Sequence, residues 1–79
     1  MKASERLLNT GYHLNVYKMI NGKIAVRFYD CEVKDGYFLI TTFGSGNTFE
    51  EACEDYIKEI QGKTLVFNAF VNRKEVVLI

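Results

Sequence analysis

Seventy-nine residues limit the chain to one domain, in which only about 60–65% of the unfolded surface can be buried. Apolar residues make up 48%, too many for a disordered chain, and ten Lys/Arg balance ten Asp/Glu. That balance argues against a protein that grips nucleic acid through bulk positive charge.

The chain can be read in order from its N-terminus. Ser4–Asn9 is expected as a short helix ahead of Gly11. Tyr12–Met19 alternates Leu14 and Val16 with His13, Asn15 and Tyr17, which is the period of a half-buried strand. Lys23–Asp30 alternates in the same way, with Ile24, Val26 and Phe28 against Ala25, Arg27 and Tyr29. Asn21-Gly22 between them signals a hairpin. A two-residue loop would put the apolar sets on opposite faces. A three-residue loop with Gly22 left-handed pairs Met19 with Lys23, Val16 with Val26 and Leu14 with Phe28, and is preferred.

Glu32–Asp35 reads as a polar turn, followed by a third strand, Gly36–Phe43, that is apolar on both faces. Gly44-Ser45-Gly46-Asn47 reads as a flexible linker. A helix over about Thr48–Gln61 is the clearest element. Thr48 and Glu51 form a capping box, and Phe49, Ala52, Cys53, Tyr56, Ile57 and Ile60 recur at steps of three and four. Gly62 stands at the left-handed C-terminal position. Two further strands, Lys63–Phe70 and Lys74–Ile79, flank a turn near Asn72-Arg73. The bare run Val76–Ile79 must be paired or covered.

The order (α)βββαββ predicts one α+β domain over residues 1–79. Its expected form is a two-layer sandwich with a mainly antiparallel sheet of about five strands and one long helix on one face. The open face would carry His13, Asn15, Tyr17, Arg27 and Tyr29, the first candidate interaction face; the plainer reading is a solvated surface. Glu50, Glu51, Glu54 and Asp55 on the helix are a second candidate, an acidic face for a basic partner.

Tyr37–Ile60, centred on Gly44-Ser45-Gly46-Asn47-Thr48-Phe49-Glu50-Glu51-Ala52, resembles the N-terminal domain of HicB-type antitoxins. The resemblance implies a fold related to the double-stranded-RNA-binding domain and an antitoxin-like inhibitor of a small toxin. Gly62–Ala69 is similar to small proteins of phages and prophages of Gram-positive bacteria. The chain departs from the antitoxin pattern by lacking proline, and a separate DNA-binding module is not expected within it. The basic helix start with which such RNA-binding folds hold phosphates is also replaced. From Thr48 to Gly62, five acidic residues (Glu50, Glu51, Glu54, Asp55, Glu59) face one Lys58, a local charge of −4.

No catalytic, metal or cofactor site is expected. Cys53 falls on the apolar stripe, and Cys31 sits between Asp30 and Glu32, whose charges suppress a thiolate. His13, Cys31 and Cys53 fall short of a zinc set. The glycine-rich stretch before the helix lacks a phosphate-loop lysine. A non-catalytic, cytoplasmic protein-interaction module remains the leading expectation, its partner another protein or a second copy as a homodimer. The alternative is a weak single-stranded nucleic-acid binder stacking bases on Tyr17 and Tyr29 beside Arg27. No unbroken apolar run exceeds the four residues of Val76–Ile79, too short to span a membrane.

Overall fold

The computed structural model describes residues 1–79 as an α+β fold with two helices and two antiparallel sheets. Helix α1 spans Ala3–Leu8. Strands β1 (Leu14–Lys18) and β2 (Ile24–Phe28) form the expected hairpin, with Val16 opposite Val26 and Leu14 opposite Phe28. Its loop has the three-residue form. The Met19 amide donates to the Lys23 carbonyl at 2.8 Å, Gly22 takes φ +87°, and the Asn21 side chain accepts from the Lys23 amide.

After β2 the chain turns a corner at Tyr29-Asp30, with Asp30 at φ +48°, and enters β3 (Cys31–Asp35). A strand that bends there leaves one sheet for the other. The expected polar turn at Glu32–Asp35 is therefore a strand. Its alternation had been masked by charge: Cys31 and Val33 are buried while Lys34 and Asp35 are exposed. The expected third strand, Gly36–Phe43, is shortened to β4 (Phe38–Ile40) beside β3, and the expected linker supplies a further strand, β5 (Gly44–Gly46), beside β2.

Helix α2 (Phe49–Ile60) begins at the Thr48 capping box, with both reciprocal bonds present. Ala52, Cys53, Tyr56, Ile57 and Ile60 are buried on its inner face. Gly62 takes φ +72° beyond its end, and its amide donates to the Ile79 oxygen at 2.7 Å. Strands β6 (Leu65–Phe67) and β7 (Lys74–Val76) complete the second sheet. The strand orders are β1-β2-β5 and β4-β3-β6-β7, not one sheet of five strands. The terminal run is mostly covered: Val76 pairs with Leu65, and Leu78 and Ile79 pack on the core.

The core lies where the two sheets and α2 meet. Phe28, Tyr56 and Phe67 pack ring to ring, and Tyr12 stacks on Phe67 with centroids 4.0 Å apart. Because α2 lies over β5 and β2, Val16 on β1 reaches past it and is exposed despite its apolar register.

The segment expected to be a flexible linker lies in close backbone contact with α2. A Cβ on Gly44 would overlap the Ala52 carbonyl oxygen and the Tyr56 amide nitrogen, and one on Gly46 would come within 2.6 Å of the Glu51 Cβ. Glycine here permits backbone to touch backbone, which is a different use from freedom of rotation.

Candidate interaction surfaces

The β1–β2 register assembles the open face foreseen from alternation. Asn15 lies opposite Arg27, and Tyr17 opposite Ala25. The Tyr29 amide donates to the His13 carbonyl, and the two rings meet edge to face at 6.1 Å. Tyr17, Tyr29 and His13 are exposed, and Asn15 is half-buried. Arg27 behaves otherwise. Its guanidinium folds into the corner and donates from Nη2 to the Cys31 carbonyl at 2.6 Å, while Nε is buried without a partner. The Arg27 guanidinium is thus not free on this face to meet a phosphate.

The acidic helix is likewise turned to internal use. Glu50 accepts from the Ser4 hydroxyl at 2.6 Å and the Ser4 amide at 3.0 Å, clamping the first turn of α1 to α2. The Ser4 hydroxyl and amide hold the Glu50 carboxyl below its ordinary value. Glu51 accepts from the Asn47 and Thr48 amides, and Asp55 from the Ser45 amide at 2.9 Å. Of the four carboxylates expected on an acidic partner face, only Glu54 stands exposed without a hydrogen bond or ion pair.

A third surface was not singled out from the sequence. Phe38, Leu39 and Ile40 on β4 are all exposed, together with Tyr37 and Phe43 on either side. Phe38 is 75% exposed and Ile40 46%. Ile40 pairs with Val33, a core residue, so Phe38 and Ile40 lie on the core side of the sheet, where α2 leaves them exposed. The signal was present: Tyr37–Phe43 has neither charge nor proline. Its alternation marks only a strand that is apolar on both faces.

The free edges of the sheets differ in protection. Edge strands in natural proteins are blunted by charge or by covering. On β5 the Ser45 amide is occupied by Asp55. On β7 Lys74 and Glu75 are exposed, with Glu75 paired to Lys34 and Arg73. On β1 Lys18 ends the strand. β4 is short but carries no charge and no covering contact, and it adjoins a groove of about 410 Å3 lined by Val33, Ile40, Thr42 and the charged Lys34, Asp35, Glu59 and Lys63.

Both cysteines are free and buried, and burial pushes each thiol up to about 11 from the ordinary 9.0. No three His, Cys, Asp or Glu side chains converge as metal ligands would. No helix is long and apolar enough to cross a membrane. No protein-family profile, curated protein or solved structure matches the chain.

Proposed function

We propose that the chain is a non-catalytic protein-interaction module of the cytoplasm that engages its partner along the β4 edge. The observation that carries the reading is the uncovered, chargeless edge with Phe38 and Ile40 exposed on its core side. An extended partner segment would add to this edge through main-chain hydrogen bonds, and its apolar side chains would cover Phe38 and Ile40. A small toxin, the partner implied by the resemblance of Tyr37–Ile60 to HicB-type domains, is one such protein. The internal engagement of Arg27 removes the main support for single-strand nucleic-acid binding.

Affinity capture with the tagged chain tests the reading when wild type and Phe38→Lys are compared. Wild type is expected to retain a protein, its own untagged copy included, that the folded Phe38→Lys variant releases. Identical retention by both, or retention of nothing, would overturn it.

A further inference from the structure

We infer that the occupant of the β4 edge is a second copy of this chain, joined by antiparallel pairing of the two β4 strands about a two-fold axis at Leu39; this rests on the reading of β4 as the binding edge. The orientation of the backbone is the first support. The Lys34 amide donates to the Thr64 carbonyl at 2.9 Å, so Lys34 directs its backbone groups toward β6. Leu39 lies directly across from Lys34, and antiparallel pairs alternate in bonding direction. The Leu39 amide and carbonyl therefore point out from the free edge.

With Leu39 facing Leu39 of the second copy, these two residues exchange both main-chain hydrogen bonds. Phe38 then falls opposite Ile40 of the second copy, and the same pair forms again on the other side of the axis. An aromatic ring against a β-branched side chain is among the favourable cross-strand pairs. Both pairs lie on the core side of the sheet, where α2 leaves them bare. The four-stranded sheets would merge into one continuous sheet across the axis.

Charge permits the arrangement. Tyr37–Phe43 contains no ionisable group except the Tyr37 phenol, so no like charges are brought face to face. The nearest flanking acid, Asp35, lies on β3 across from Phe38, one strand in from the paired edge. The two Asp35 residues are then separated by three strand spacings, about 14 Å across the sheet, past the screening length of about 8 Å.

Area sets the strength. Tyr37 is fully exposed, Phe38 three-quarters so, and Leu39, Ile40 and Phe43 37%, 46% and 41%. With about 150–250 Å2 for a whole aromatic residue, these five offer roughly 600 Å2 per copy and roughly 1,200 Å2 in a pair, the lower bound for a specific interface. The dimer is therefore reversible and dependent on concentration.

Sedimentation equilibrium from micromolar to millimolar protein, with amide hydrogen exchange followed by NMR at both ends of the range, tests this. The mass is expected to rise from one copy to two, and exchange at the Leu39 amide to slow about tenfold or more at high concentration. Phe38→Lys is expected to keep its far-ultraviolet circular dichroism and remain one copy. A single-copy mass throughout would overturn the inference, as would a dimer whose Leu39 exchange ignores concentration. If the wild type stays single yet retains a different protein through Phe38, the inference falls and the reading of the edge stands.

Discussion

Gly44 lies with its backbone against that of Tyr56, so that β5 meets α2 without any side chain between them. The Gly44→Ala variant must push apart two stretches of main chain, neither of which can swing aside. A loss of about 3 kcal/mol or more is expected in urea unfolding, the upper range for overpacking. Ser45→Ala, which leaves the Ser45 amide bound to Asp55, is expected to change stability by less than about 0.5 kcal/mol. Similar midpoints for the two variants would contradict the close contact.

Tyr56 holds β2 through its hydroxyl as well as its ring. The Phe28 amide donates to that oxygen at 3.1 Å in a fully buried position. Tyr56→Phe keeps the ring but strands the amide, and a cost of about 1–3 kcal/mol is expected. Faster exchange at the Phe28 amide would accompany it. Unchanged stability would mean that the hydrogen bond contributes nothing net.

Acid should loosen α1 before the rest. The Glu50 carboxyl lies below its ordinary 4.5 because Ser4 donates to it. A depressed folded-state value gives stabilisation that is present above 4.5 and lost as pH falls through the lower value. The amides of Ala3–Leu8 are expected to exchange faster over that window, and Glu50→Gln to abolish the pH step. Glu54→Ala, which removes no hydrogen bond, is expected to leave it in place.

Alkali acts through the thiols with the opposite sign. Burial raises Cys31 and Cys53 to about 11, so the folded chain holds those protons longer than the unfolded one. Their stabilisation is complete below the ordinary 9.0 and fades as pH rises through about 11. The melting temperature is expected to fall over that interval, less steeply in Cys53→Ala. At neutral pH a thiol reagent should label both cysteines only as fast as the chain opens.

Local chemistry was legible, and remote partners were not. Thr48 and Glu51 identify the start of α2 because each satisfies the other's backbone within three residues. Gly22 settles the hairpin register because only one loop length puts Val16 beside Val26. The same residue type misled at Gly44 and Gly46, where glycine serves close approach. The acidic face dissolved for a related reason: the donor to Glu50 is Ser4, 46 positions away. Arg27 was placed on the correct face, but its inward turn depends on a carbonyl that the Asp30 corner presents. The β4 edge was not legible because it follows from the division into two sheets, which leaves β4 at the end of one of them.

Strands β2 and β3 are joined by only two residues, yet each is an interior strand of a different sheet. One short length of main chain is thus the spine of both halves. Cutting it between Tyr29 and Asp30 would leave α1, β1 and β2 in one fragment and the rest in the other, parting β2 from β5 and from α2. Neither half has the means to melt independently, and unfolding followed at Tyr17 and at Phe67 should trace the same single transition.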